Sequence, residues 1–360
     1  MHIIIVGAGL SGLAAACRLT QLGHKVTVFE RRATLSTTGG HIMVRSNVSK
    51  IVKQWGLGDD IEAISDVSLS GIYRRAEDGE VLHERLPAKY TEHPDWGTVR
   101  DRLLRVFYER AVANQADVSF GVAVTKVQED EVKAFVKFDS GETVEADLVL
   151  ATDGALSRLR QFILPDDIAA QARVASMTFH QVAVSEDELL EHPSTKHLTN
   201  DANLTVWFGQ GSYAVGRYST KLGRFGGIFA VPSGNEENPK LWEEGFSQTL
   251  EDIEVLTILL QQYNDLEYVT NIWEKVRIPR TARVKAFART NHENYQLGGA
   301  QMVKQNANKN DSSTNEPANG QSAAVKPDRD AEFNSPAFNA WLYAYDAAEE
   351  VAKATTGLAK

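Results

Sequence analysis

Four apolar positions, Ile3 to Val6, open the chain; glycines at 7, 9 and 12 break the run, and an alanine-rich stretch of helical spacing then ends at Gly23. A second apolar run from Lys25 to Phe29 stops at Glu30. The pattern predicts strand, glycine turn, helix, strand. Further on, Gly39 to Val44 precedes an amphipathic stretch from Val48 to Trp55, and residues 67 to 86 alternate around Asp78-Gly79 as a hairpin would. Thr98 to Ala113 is predicted helical, with Leu103, Leu104, Phe107 and Ala111 on one face. Val118 to Val127, Val132 to Phe138 and the return from Thr143 alternate as strands, and a buried strand from Leu148 to Ala151 runs into Thr152-Asp153-Gly154. From Val174 to Val231 the pattern turns mainly β, with strands expected at Leu204 to Phe208, Tyr213 to Tyr218 and Phe225 to Val231, which marks a second lobe. Trp242 to Tyr263 and Val269 to Arg289 read as helices. Gln301 to Ser335 is polar low-complexity sequence with too little apolar surface to order itself. Phe338, Trp341, Leu342 and Tyr345 form a docking stripe on a last helix from Pro336 to Ala354.

The first 32 residues carry the clearest chemistry. Gly7 permits a tight turn, Gly9 lets backbone approach a pyrophosphate, and Gly12 lets the helix pack on the sheet. The helix N-terminus offers free N–H groups to phosphate. Glu30, at the end of the second strand, can accept hydrogen bonds from an adenosine ribose. These features predict dinucleotide binding but do not separate FAD from NAD. Arg31 and Arg32 suit either a 2′-phosphate or a solvated loop, and the Glu30 carboxylate opposes the former. Arg100, at a helix start, is unfavourable to the helix dipole unless it is solvated or meets an anion. Asp153 and Gly154 stand where ligands bind an α/β sheet, although a capping role for Asp153 explains them equally. His41 has no partner at metal-ligand spacing and reads as a loop histidine; no metal site is expected.

A net charge of −10, with 38 basic and 48 acidic residues and no basic run, argues against nucleic acid or an anionic membrane as partner. No apolar stretch is long enough for a bilayer. A single cysteine, Cys17, excludes an internal disulfide and a redox pair, and it fits a reducing, cytoplasmic setting.

With these residues in view, the chain resembles the class A FAD-dependent aromatic hydroxylases, in particular the salicylate hydroxylase-like branch. GAGLSGLAAA with Glu30, Thr98-Val99-Arg100-Asp101-Arg102-Leu103, and Asp153-Gly154 with Arg158 are similar to three motifs of that family, and Gly39 to Met43 is similar to its segment beside the flavin. Gly245 to Leu256 resembles the flavin-facing helix; Trp273 to Arg283 and Trp341 to Asp346 resemble its C-terminal helices. The resemblance implies an α/β fold: a Rossmann-like FAD-binding domain with a second, mainly β substrate lobe, as in p-hydroxybenzoate hydroxylase. It divides the chain into a cofactor domain (1–166, with 67–95 lent to the substrate lobe), a substrate-lobe sheet (167–242), returning helices (243–299), a low-complexity linker (300–335) and a C-terminal helix (336–360). It implies FAD held by Gly7, Gly9, Gly12, Glu30, Arg31, Gly40, Arg100, Val124, Asp153 and Gly154, transient NADH or NADPH, and oxygen delivered to a small aromatic or phenolic substrate. Arg217 and Tyr218 stand where the family lines its substrate pocket, which makes them candidate catalytic residues, and a solvent-facing arginine beside a core tyrosine is the other reading of the pair. The family's Gly-Asp-Ala-Ala-His motif does not occur, and the chain passes from Val231-Pro232 almost directly to Gly245, so about 60 to 80 residues are expected to be absent, too many for a trimmed loop. Two alternatives stay open: an impaired or non-catalytic truncated relative that retains dinucleotide binding, and an NAD-binding dehydrogenase.

Overall fold

The computed structural model describes residues 1–37, 40–67, 70–85, 90–164, 177–200, 202–232, 245–296 and 325–356. Gly39, residues 300–324 of the low-complexity stretch, and residues 233–244, where the Gly-Asp segment is expected to be lost, lie outside the described residues.

The opening pattern folds as its apolar positions dictate into β1 (His2–Val6), α1 (Leu10–Gln21) and β2 (Lys25–Glu30). β1 pairs in parallel with β2 on one side and with β12 (Leu148–Ala151) on the other, and β8 (Asp117–Phe120) pairs with β2, giving the order β12-β1-β2-β8. Because side chains alternate along a strand, β1 feeds two cores. Ile3 and Ile5 pack on the side of α1 and α4 (Arg100–Ala113), while Ile4 and Val6 pack with Val136, Phe138 and Ala146. Ile3, Ile4 and Ile5 are fully buried, each stabilising the fold by roughly 1.5–3 kcal/mol. The second core is closed by an antiparallel sheet of β9 (Val124–Glu129), β10 (Ala134–Phe138) and β11 (Thr143–Ala146). The single strand expected over 118–127 is thus two, β8 and β9, turned at Gly121 with φ +74°.

The second lobe is a six-stranded sheet, in the order β13 (Met177–Ser185), β16 (Arg224–Pro232), β15 (Tyr213–Ser219), β14 (Leu204–Phe208), β5 (Gly71–Arg75), β6 (Val81–Arg85). The hairpin around Asp78-Gly79 therefore joins strands more than a hundred residues later, with β5 parallel to β14. A capping box between Ser185 and Glu188 starts α6 (Glu186–Glu191). Between the lobes lies a small sheet, β3 (His41–Val44), β7 (Trp96–Val99) and β4 (Asp66–Val67), in the order β3-β7-β4. Thr98 and Val99, expected to begin a helix, belong to β7 because they pair with Ile42 and His41; α4 starts at Arg100.

Alpha helices complete the cofactor lobe: α2 (Ser46–Gln54), α3 (Gly58–Ala63), the short α5 (Arg160–Ile163), α7 (Gly245–Gln262), the long α8 (Leu266–Gln296), α9 (Pro336–Tyr343) and α10 (Ala347–Thr356). The last expected helix is two, broken across Ala344 to Asp346. Its stripe nonetheless docks, with Phe338, Leu342 and Tyr345 buried. Glu251 of α7, fully buried, accepts from Arg277 and Arg280 of α8 and from Asn47 of α2, and Arg280 donates onward to the carbonyls of Trp341 and Leu342. This charged knot ties α9 to the cofactor lobe. No helix among the described residues is long and apolar enough to cross a membrane.

Candidate functional site

The glycine turn sits at the carboxyl ends of β1 and β12. Gly7 has φ +108°, and a Cβ there would lie 2.6 Å from the Thr152 carbonyl oxygen. A Cβ on Gly12 would overlap the Gly7 carbonyl oxygen, so this glycine seats the helix. Gly9 differs: a Cβ there would meet nothing within 4 Å. It is the N-cap of α1 and supplies no side-chain cap, so the N–H groups of the first turn precede the first helical bond, Leu13 N–H to the Gly9 carbonyl at 2.9 Å. Open space in front of N–H groups that bond to no acceptor among the described residues suits an anionic phosphate. Thr152 Oγ1 donates to the carbonyls of Val6 (2.9 Å) and Gly7 (3.0 Å) and pins the turn to the end of β12.

Glu30 is 9% exposed. Its Oε2 accepts from the Ala8 N–H and its Oε1 from the Arg32 N–H, both at 2.8 Å, so the carboxylate is fixed beside the turn with a further lone pair on each oxygen for a hydroxyl. Arg31 next to it is exposed. Gly121 and Val122 donate backbone bonds to the carbonyls of Arg32 and Glu30, which carries the start of β9, Val124, alongside Glu30. Asp153 Oδ2 accepts from the N–H groups of Arg158 (2.9 Å) and Leu159 (3.3 Å), a capping role for the turn after β12. Gly154 has φ +88° and open space at its Cα.

Arg100 is the first residue of α4, and its N–H donates to the Gly40 carbonyl at 3.0 Å, which joins two expected cofactor residues directly. Its guanidinium is half-buried and has no hydrogen-bond or ion-pair partner among the described residues. Burial lowers its pKa. A desolvated cation of this kind is complementary to a phosphate. Ser11 Oγ donates to Thr249 Oγ1 at 3.3 Å, which sets the starts of α1 and α7 side by side; nothing in two residues 238 apart foretells that pairing.

His41 is not a loop residue. It opens β3, with Nδ1 2.9 Å from the Thr98 carbonyl oxygen and Nε2 3.1 Å from that of Arg217. Carbonyls only accept, so a neutral ring donates to one of them and a protonated ring to both. Burial, then the nearby Arg217 charge, pull its pKa down to about 4, and the ring is neutral near pH 7.

Arg217 and Tyr218 leave β15 on opposite faces, so no one pocket receives both. Arg217 is 1% exposed and packs against the small sheet. Tyr218 lies on the outer face with Trp207, Phe225 and Arg74, where burial and a hydrogen bond to Glu186 push its phenol up to about 12. Among the described residues no group of three or more His, Cys, Asp or Glu could hold a metal ion.

A Rossmann turn with an open glycine, an acid at the end of β2 and a half-buried arginine without a partner among the described residues make one lobe a dinucleotide-binding domain, and a separate β lobe stands beside it. A family profile described as "FAD binding domain" matches residues 1–230, and the chain belongs to that family, the class A FAD-dependent hydroxylases. It is 24% identical over 306 residues to "FAD-dependent monooxygenase OpS4" of Beauveria bassiana, covering 81% of this chain and 68% of that protein. It is 29% identical over 235 residues to "FAD-dependent urate hydroxylase" of Klebsiella pneumoniae, covering 64% of this chain and 58% of that one. The chain therefore spans little more than half the length of the second relative. Among solved structures, the fold is shared with CtdE in complex with FAD and a substrate, at TM-score 0.78 and 17% identity over 99% of this chain and 98% of that one. It is also shared with Klebsiella pneumoniae HpxO complexed with FAD and uric acid, at TM-score 0.71 and 21% identity over 86% of this chain and 92% of that one.

Proposed function

We propose that the protein is an FAD-dependent monooxygenase that hydroxylates a small aromatic or phenolic compound at the expense of NADH or NADPH and dioxygen. The observation that carries this reading is the half-buried Arg100, without a side-chain partner among the described residues, joined through Gly40 to the same lobe as the open Gly9 turn. The residues present fit FAD. Backbone N–H groups at Gly9 to Gly12 would hold the pyrophosphate with Gly7 forming the turn, and Glu30 would accept from the adenosine ribose with Arg31 and Val124 alongside. Arg100 and Gly40 would lie against the cofactor on the side of the small sheet, and Asp153-Gly154 on the side of β12. When bound, the flavin would supply the redox and oxygen chemistry; the chain supplies position and exclusion of water. The names of the two relatives, a monooxygenase and a hydroxylase, support the same reaction class.

The purified protein tests this by its visible spectrum and by chromatography of the released chromophore. Stoichiometric FAD is expected. Glu30→Ala should then weaken FAD binding by about tenfold, which corresponds to a charge-assisted hydrogen bond of about 1.4 kcal/mol. Substrates of the aromatic and purine type should stimulate NAD(P)H oxidation. A folded protein that takes up no flavin on incubation with FAD would overturn the proposal in favour of a non-catalytic relative.

A further inference from the structure

We propose that Arg217 is a positioning residue that sets the six-stranded sheet against the cofactor lobe by laying its guanidinium in a notch that only glycine at position 97 leaves open. Met43, Gly97 and Asp66 form one row across the small sheet, each paired with the next across β3, β7 and β4. Arg217 reaches over that row from β15. Its Nη1 approaches Met43 Sδ at 3.5 Å, and its Nη2 donates to the carbonyls of Asp66 (3.4 Å) and Val67 (3.1 Å). Above Gly97 there is no room for a side chain: a Cβ there would overlap Nη1 and Cζ and would lie 2.8 Å from Nε. The cation is held almost wholly by neutral acceptors, and Nε has no partner among the described residues. The nearby carboxylate of Asp66 is taken up instead by Ser219 Oγ at 2.6 Å, from the last residue of β15, and by the hydroxyl of Thr220, which follows it. Backbone completes the clasp, because the Arg217 carbonyl faces His41 Nε2. Lys221 Nζ donates to the Glu62 carbonyl one step beyond.

The location gives the clasp its purpose. Met43 of β3 follows Gly40 by three residues, and Gly97 of β7 precedes Arg100 by three, so the side chain that anchors the β lobe rests on the two strands that adjoin residues proposed above to hold the flavin. A guanidinium spans three strands at once; an ammonium reaches one acceptor site. A solvent-facing arginine on a sheet would show neither the burial nor the glycine beneath it.

That the clasp serves the cofactor rests on the function proposed above, whereas its existence does not. Hydrogen exchange of the flavin-free protein separates the two. In Gly97→Ala, which keeps Arg217 but evicts it from the notch, exchange should rise together in segments 66–67, 96–99 and 213–219 and stay unchanged in 3–6 and 26–29. Arg217→Lys should give the same pattern to a smaller degree and reads the clasp even if Gly97→Ala does not fold. In the FAD-bound form, Gly97→Ala should weaken FAD about tenfold and alter the bound-flavin absorption and near-ultraviolet dichroism, and Gly97→Ala with Arg217→Met should recover most of both. Unchanged exchange in both single variants, or exchange raised evenly over the chain, would overturn the clasp. If the wild-type protein binds no FAD, the cofactor reading fails and the exchange pattern still decides this one.

Discussion

Replacing Glu251 by Gln changes one atom in size and one full charge inside the protein. The side chain is fully buried, and all of its acceptor capacity is used: Oε2 takes Arg277 Nη1 at 2.8 Å and Arg280 Nε at 2.6 Å, and Oε1 takes Arg280 Nη2 at 2.7 Å and Asn47 Nδ2 at 2.6 Å. Burial works to raise the Glu251 carboxyl, but the Arg280 and Arg277 charges and the Asn47 amide outweigh it, so it stays ionised below the usual carboxylate range. Asp252 supplies the second negative charge, 2.6 Å from Arg277 Nε. Two cations and two anions balance in the native knot. The Gln variant leaves a net positive charge there and turns an amide NH2 toward a guanidinium, and breaking a buried pair from one side typically costs about 3–5 kcal/mol. Urea unfolding followed by tryptophan fluorescence should show a loss in that range at unchanged m-value. Glu251→Leu with Arg280→Leu removes one charge of each sign and should be less destabilising than Glu251→Gln alone, because no uncompensated charge stays behind. A loss below about 1 kcal/mol for the single variant, or a double variant worse than the single, would refute this account of the knot.

The glycine turn makes a paired prediction. Gly9→Val should abolish FAD uptake while leaving the melting temperature of the flavin-free protein near wild type, since its side chain enters open space. Gly12→Ala should instead destabilise the flavin-free fold by about 1–3 kcal/mol, since its methyl meets the Gly7 carbonyl. Calorimetry and visible spectra read the two effects separately, and equal melting losses would contradict the assignment. His41 makes a prediction about acid. With a folded pKa near 4 and an ordinary value of 6.5, the unfolded chain takes up the proton first as pH falls. Its share of stability is complete above about pH 6.5 and is lost on the way down to pH 4, a change of about 3 kcal/mol. His41→Gln should flatten that part of the stability profile, and an unchanged slope would show that the ring is not held neutral.

The sequence by itself determined the cofactor half of this protein. Ile3 to Val6, the three glycines and Glu30 are read locally: a strand buried on both faces, a turn, a helix start and an acid at a strand end are short-range facts that periodicity and residue type fix. The structure brings them together at the end of β1, and the space at each glycine follows from backbone geometry within one βαβ unit. The β lobe was legible as strands but not as a sheet, because β5 lies beside β14 only through a parallel pairing that no local pattern encodes. What only the tertiary structure decided are contacts between segments far apart in the chain. His41 looked like a loop residue because its two carbonyl partners lie 57 and 176 residues away. Gly97 gave no signal as a glycine, since its need for no side chain arises from Arg217 crossing above it. Arg217 and Tyr218 are neighbours in sequence, and the pleat of β15 sends one into the lobe interface and the other to the outer face. Burial of a charge depends on which distant carbonyls and carboxylates surround it, and those are chosen by packing rather than by the residues on either side.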